Sequence, residues 1–416
     1  MTSTFKSYLT KLPYVLLLMG AVFFAVNSIR ETLPPSKVVI ETGPVGGSYH
    51  DNALRYAKKL EAAGFKIEVR PNPQSLETID HIESGKPHVD IGFTIQPLDR
   101  SKYPNTRSAG VIEIQPLFIF YNVEKGLISK VNQLIGKRVV MPTEKSVTSA
   151  SARSLLALYG VTAENTTFTY MPIAEAAIEL KNGQHDAGFF MLAPSNKIVK
   201  DLAESKNLAL LSLTGAQGIS RQLDYLKPAT LHRGAYDLLG ELPATDISML
   251  GGTVNVMVRE DINPVLLYSL LEVMMELHQG QTLLSSRGEF PTIVGTTLEA
   301  HPLAVQWHKV GTPWVFKNFG ATLASLLDKY WLVVAVLIVI SQAYTVSHDL
   351  YRLVHLGSSS VALRILLRLQ KRLNDGKTPG AVSKGFYRAA KGMTAASKNQ
   401  NEKAQAMLEQ LKTKMT

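Results

Sequence analysis

The side chains able to do chemistry are few, and most are hydroxyls beside glycines. Gly43-Pro44-Val45-Gly46-Gly47-Ser48-Tyr49 joins an apolar strand to a helical pattern. The start of a helix presents unpaired N–H groups and a partial positive charge, so such a turn can hold a carboxylate without a lysine. Gly47 lets the backbone approach a ligand closely, and Ser48 and Tyr49 can donate hydrogen bonds. The same residues also suit a plain tight turn with Ser48 as helix cap. Ser146 and Thr148 head a helix expected at 149–159, where they either face Ser48 across a cleft or simply cap their own helix. Thr143 follows the strand 138–141, a position that faces the cleft in open α/β sheets. Phe190 reads either as an apolar wall of that cleft or as a core aromatic. Arg233 or Lys145 is either the one fixed counter-charge or a solvated surface cation.

Reactive constellations are missing from the sequence. It holds no H-E-x-x-H, no G-x-S-x-G elbow and no phosphate-binding lysine loop. None of the 416 residues is cysteine, which excludes disulfides, thiol catalysis and cysteine-ligated zinc. Val45 replaces the second glycine of a dinucleotide fingerprint, and His185 beside Asp186 reads as a turn before a strand. The expectation is a binding protein, not an enzyme, with no catalytic residue, metal or cofactor.

The elements that must position these residues alternate between strands and helices. Residues 38–42 form a strand; Tyr49, Ala53, Tyr56, Ala57 and Leu60 recur at helical spacing, and Gly64 stops that helix. Residues 66–70 are the next strand, and Leu76, Ile79 and Ile82 mark a short helix closed by Gly85. This is βαβ logic, which implies a parallel sheet. A phrase then recurs about 100 residues later: Gly85 to Asp90-Ile91-Gly92-Phe93 returns as Gly183 to Asp186-Ala187-Gly188-Phe189-Phe190. Each copy is a helix end, a glycine stop, an aspartate and a buried strand. Two similar α/β lobes with a cleft between them follow. Residues 118–122 and 253–258 are the extended segments suited to cross between lobes, and Asn263-Pro264 opens a strong helix that returns to the first.

Charge placement describes the ends. The net charge is +10, but residues 347–416 hold 13 Lys/Arg against four Asp/Glu, and the first 30 residues hold three Lys/Arg and no acid. Residues 31–346 are therefore 28 against 30, nearly neutral. A nucleic-acid binder would concentrate its positive charge on the folded body, so nucleic acid is not an expected partner. Pro13–Val26 is apolar behind Lys6 and Lys11, and reads as a signal-peptide core or an uncleaved anchor. Tyr330–Val346 is apolar on all sides, starts at Tyr330-Trp331 and is followed by Arg352, Arg364, Arg368, Lys371 and Arg372. It reads as a membrane span, with both chain ends in the cytoplasm and the body outside. Beyond it, 361–373 is an amphipathic helix suited to the inner leaflet or to a partner, 375–401 a linker, and Met407, Leu408, Leu411 and Met415 a weak terminal helix.

In order and spacing, several segments resemble the TRAP-associated extracytoplasmic immunogenic (TAXI) solute receptors. They are Gly46-Gly47-Ser48-Tyr49 at the first helix, 134–140 with the hydroxyl-rich turn after it, 173–190, Ala229 to Tyr236, and Gly311-Thr312-Pro313-Trp314 through Trp331. The likeness covers about residues 36 to 350. It implies a type II periplasmic-binding-protein fold with two Rossmann-like lobes, transmembrane helices at both ends of the body, and capture of a small organic anion such as glutamate or another dicarboxylate. It also implies TRAP-type permease subunits and the lipid bilayer of the inner membrane as partners; a membrane-tethered sensor signalling through its tail is the alternative. The chain departs from the family at two ligand-facing turns, with Gln74-Ser75 in place of Gly-Ser and 143–148 in place of Gly-Ser-Gly. The division expected is 1–35 for the N-terminal segment, 36–120 and 253–318 for lobe one and 121–252 for lobe two. Residues 319–346 are the span and 347–416 the basic cytoplasmic tail.

Overall fold

Val38–Thr42 (β1) is buried along its whole length, the pattern of a parallel strand covered on both faces. The computed structural model describes residues 33–319, 321–376, 378–396 and 402–415, so the apolar segment 13–26 lies outside the described residues. After β1 come α1 (Ser48–Ala62), β2 (Ile67–Pro71), α2 (Thr78–Ser84) and β3 (Ile91–Thr94). β1 pairs in parallel with both β2 and β3, giving the spatial order β2-β1-β3. The chain continues through β4 (Thr106–Asn122), β5 (Arg138–Met141), α3 (Val147–Leu158), β6 (Thr167–Tyr170), α4 (Ile173–Lys181) and β7 (Ala187–Met191). Here β5 pairs in parallel with β6 and β7, and the order is β6-β5-β7. One β-α-β-α-β topology has been built twice.

The body continues with α5 (Lys197–Ala203), β8 (Leu208–Leu210), α6 (Ala216–Ile219), β9 (Leu226–Leu231), β10 (Ile247–Arg259), α7 (Pro264–His278), α8 (Pro302–Val310) and α9 (Trp314–Asn318). The result is an α/β fold on one ten-stranded sheet, β2-β1-β3-β10-β4-β7-β5-β6, with β8 on β4 and β9 on β10. The antiparallel strands β4 and β10 join the two halves. β4 pairs with β10 as far as Pro116 and with β7 from Leu117. β10 pairs with β9 as far as Gly252 and with β3 from Asn255. Both changes of partner fall close to the segments 118–122 and 253–258 expected to cross.

The repeated phrase has a physical cause. Gly85 and Gly183 each stop a helix with positive φ, 66° and 73°. Asp90 Oδ2 accepts the Val39 N–H at 2.8 Å, and Asp186 Oδ2 accepts the Arg138 N–H at 2.8 Å. Each aspartate therefore ties its own strand to the start of the central strand of its half. A Cβ on Gly92 would come within 2.6 Å of Thr78 Cγ2, and one on Gly188 within 2.8 Å of Leu180 Cδ2, so glycine lets α2 and α4 lie close on the sheet.

The two aspartates titrate in opposite senses. Burial raises the Asp90 carboxyl above its ordinary value, and the Val39 N–H and His88 offset this only in part. Burial also pushes Asp186 up, but hydrogen bonds and charge from Arg138, with Lys125 behind, outweigh it and hold the pKa low. A depressed folded pKa contributes stability above the ordinary aspartate value of about 3.9, lost as pH falls through the folded value. A raised one makes stability fall as pH rises from about 3.9 through the folded value. Urea unfolding between about pH 3 and 6 should therefore show Asp186→Asn losing an acid-sensitive contribution and Asp90→Asn losing an alkali-sensitive one. Parallel pH profiles for the two variants would contradict this.

The chain divides into two compact units, one ending at Asp328 and the other running from Lys329 to Thr416. The helices after α9 are α10 (Ala321–Asn374), α11 (Ala381–Ala396) and α12 (Glu402–Met415). The expected linker 375–401 is thus mostly helix, because Ala390 enters a shared core with Ala362, Leu366 and Leu369 of α10 and Ala404 and Leu411 of α12. Tyr387 Oη also donates to the Leu408 carbonyl at 3.0 Å. The stripe Ala362, Leu366 and Leu369 of the helix expected at 361–373, suited to the inner leaflet or to a partner, is therefore buried among helices. Among the described residues no helix is long and apolar enough to cross a membrane, so the expected second span is not shown. Trp331, Leu332, Val333, Val336, Ile338, Val339 and Ile340 of α10 are all exposed; the side chains at 334, 337 and 344–360 lie outside the described ones.

Candidate functional site

The carboxyl ends of β1, β2, β5 and β7 open on one narrow cleft, the place where open α/β sheets put ligands. Gly43 and Pro44 follow β1, Ser75 follows β2, Pro142 follows β5, and Met191 and Leu192 end and follow β7. Gln115 of β4 and Ile173 of α4 close the sides.

Two helices begin there. α1 has Gly47 as its N-cap in extended conformation, reached through Gly46 at φ 82°. α3 has Ser146 as its N-cap, whose Oγ accepts the Ser149 N–H at 3.1 Å. The fourth residue of α1 bonds back into the turn, Asp51 N to Gly47 O at 3.1 Å. The N–H groups of Ser48, Tyr49, His50 and Thr148 meet no acceptor among the described residues. These are the donors that a helix start leaves unpaired.

The two halves of the body meet directly across the cleft. Ser48 Oγ accepts the Ala193 N–H at 2.8 Å, and Ser75 Oγ accepts the Val147 N–H at 3.2 Å. At the rim, Asn196 Nδ2 donates to Gly46 O at 3.0 Å and to Asp51 Oδ2 at 2.9 Å. Lys145 Nζ bonds Glu77 at 2.8 Å on the other side. Hydroxyls that head one half are thus held by backbone donors of the other.

Tyr49 is buried and stacks on Phe93, ring centroids 5.6 Å apart. Its hydroxyl finds no partner among the described residues. Burial, and then the Glu113 carboxylate, push its pKa up, so it remains a proton donor. Burial also raises the Glu113 carboxyl, against hydrogen bonds from Gln115 Nε2 at 2.6 Å and Asn52 Nδ2 at 2.9 Å. That acid is engaged by two amides beside the cleft and does not line it.

Of the residues singled out from sequence, Gly47, Ser48, Tyr49, Ser75, Ser146 and Thr148 line this one cleft. Four lie elsewhere, Lys145 being the cation already described on Glu77. Thr143 is half-buried in the turn before α3, where its carbonyl accepts the Ser146 N–H at 2.8 Å. Phe190 has no exposed surface and packs edge-on to Phe120, with centroids 6.2 Å apart, in the cluster with Phe118, Val140 and Leu180. Alternation along β7 turns Phe189 and Met191 to one face and Phe190 to the other, so Met191 takes the place expected of Phe190. Arg233 is exposed and paired with Glu241, and its N–H donates to Asp246 at 2.8 Å, so it is no counter-charge for the cleft. Sequence reading missed Pro142, Gln115, Met191 and Leu192. Three of these could have been found by taking the residues at and just past the ends of β5 and β7.

Residues 96–308, 213 of the 416, match the NMT1-like family. The chain belongs to that family. The matched region begins just past β3 and takes in β4, α3, β7 and β10 of this NMT1-like protein, hence one side of the cleft and both joining strands. Solved structures that resemble it include an amino acid ABC transporter substrate-binding protein from Streptococcus pneumoniae bound to L-arginine. That match has 16% identity and TM-score 0.37, over 60% of this chain and 91% of the other. The holo arginine-binding protein of T. maritima matches at 13% identity and TM-score 0.37, over 67% and 96%. An ancestral arginine-binding protein bound to arginine matches at 16% and 0.38, over 60% and 95%. At TM-scores below 0.5 these likenesses are too distant to bear on the ligand.

Proposed function

We propose that the body of this NMT1-like protein is a solute receptor that closes two lobes, 36–120 with 253–318 and 121–252, on a small organic anion. The observation that carries this reading is the meeting of two helix starts across one cleft. Each contributes about half a positive charge at its amino end. Ser48, Tyr49 and Thr148, whose N–H groups meet no acceptor among the described residues, line this space together with the hydroxyl-bearing Ser75 and Ser146. Among the described residues the lining has no lysine or arginine and no acid–base pair, so we read it as binding and not as catalysis. A carboxylate would take over donors that Ser48 and Ser75 now accept from Ala193 and Val147, which links ligand binding to closure.

Delivery to a TRAP-type permease, as by TAXI receptors, is supported by the sequence resemblance. Attachment to the inner membrane, with the body outside and the tail in the cytoplasm, is supported by the exposed apolar run of α10 and the basic residues after it. The folded helical tail supports a sensing output of the same binding event.

Thermal melting of the full chain in detergent against mono- and dicarboxylates, phosphate, sulfate and polyamines tests the anion reading. One or more anions should raise the melting temperature with concentration, by an amount equivalent to about 2.7 kcal/mol at 100 times Kd. A panel in which only cations stabilise, or nothing does, would sink the reading.

A further inference from the structure

The C-terminal unit carries a surface that ligand capture does not use. Within α11, Tyr387, Ala390 and Thr394 turn inward to the three-helix cluster. Val382 and Phe386, one turn apart, lie on the face beside these and are 68% and 50% exposed; Ala389 continues the stripe. Arg388 and Lys391 are exposed on the same helix. Arg364, Arg368, Lys371 and Arg372 are exposed on α10. A phenylalanine left in water on a small folded unit, with cations around it, calls for a covering surface.

We propose that α11 lies on an anionic lipid surface, with Val382, Phe386 and Ala389 at the headgroup–acyl boundary and Arg388 and Lys391 on the polar side, within reach of the surface's negative potential. Three observations favour lipid over a protein. Residues 347–416 carry 13 Lys/Arg against four Asp/Glu, a single-sign excess that complements an anionic leaflet. The apolar stripe holds two large side chains, far less than the roughly 1,200 Å² or more that a stable protein interface buries. Helix α10 of the same unit exposes Trp331, Leu332, Val333, Val336 and Ile338 to Ile340, so lipid-seeking surface lies in the same stretch of chain. The apolar stripe of α10 at Ala362, Leu366 and Leu369 is occupied by α11 and α12, which leaves α11 as the amphipathic face available. Nearness to the bilayer rests on the membrane-attachment reading above.

The chain has no cysteine, so Ala389→Cys accepts a single environment-sensitive fluorophore in the full-length protein. In nanodiscs containing phosphatidylglycerol its emission should be blue-shifted and brighter than in phosphatidylcholine discs. Each Lys or Arg at the surface is worth roughly fivefold in affinity, so Arg388→Glu with Lys391→Glu should abolish the difference between the two lipids. Phe386→Asp should do the same; should that variant lose helicity, the double charge variant still reads the contact. A water-like signal in both lipids overturns the proposal. So does an equal blue shift in anionic discs, zwitterionic discs and detergent, which would mean that protein covers the stripe. If the chain does not enter the discs, the attachment reading fails by itself. Co-sedimentation of the labelled full chain with anionic liposomes then decides the α11 contact: no blue shift on those liposomes overturns it.

Discussion

Phe190→Ala should lower the stability of the body by about 3–5 kcal/mol and leave ligand affinity unchanged. Phe190 has no exposed surface, meets Phe120 edge-on, and shares its cluster with Phe118, Val140, Leu180 and Leu202. Removing the ring leaves a cavity that the sheet on one side and α4 on the other cannot close without moving a strand. For a body of this size each kcal/mol corresponds to about 2–4 °C, so melting should fall by roughly 10 °C. Urea unfolding and ligand titration on the same preparation check it. A stable variant with weakened binding would restore Phe190 as a wall of the cleft.

Thr148→Asp should do the reverse: binding falls by about 100-fold or more while the fold holds. Thr148 is the second residue of α3 and lines the cleft. A carboxylate in the first turn of a helix is favourable by about 0.3–1 kcal/mol, so the variant should melt no lower than the parent. The same carboxylate occupies the positive end meant for the ligand. Two like charges about 4 Å apart at an effective dielectric of 20 repel by about 4 kcal/mol, which is the source of the loss. Thr148→Asn keeps the size without the charge and should bind within a few-fold of the parent. Isothermal titration with the stabilising anion measures all three proteins. Unchanged affinity in Thr148→Asp would remove the start of α3 from the site.

These two variants separate what had been read together from sequence, a hydroxyl at a helix start and an aromatic at a strand end. The hydroxyl side was legible because caps and glycine turns are local. Ser146 announces α3 whatever surrounds it, and Gly46-Gly47-Ser48 announces α1. The aromatic side was not, since neighbours on a strand point to opposite faces and Phe189-Phe190-Met191 is apolar throughout. Arg233 shows the same limit for charge. Its partner Glu241 is eight residues away along an irregular turn, and spacing does not say whether an arginine there meets an acid or a cleft.

The ends of the chain follow the same division. Periodicity placed a helix at 361–373 and another near the terminus, and both form. The intervening Ala- and Lys-rich stretch read as a linker, yet 381–396 is helical because its inner face meets two others. A short isolated helix of that composition is marginal in water, and packing supplies the difference.

By itself the sequence determined the doubled β-α-β-α-β order, the glycine stops at Gly85 and Gly183, and the two helix starts. Each depends on residues near one another in the chain, or on backbone conformations that few side chains allow. The tertiary structure alone decided which residues share the cleft. It brought Ser48 to Ala193 and Ser75 to Val147, sent Phe190 inward, and turned Val382 and Phe386 outward. Those outcomes depend on register and on which faces pack, and both are properties of contacts far apart in sequence.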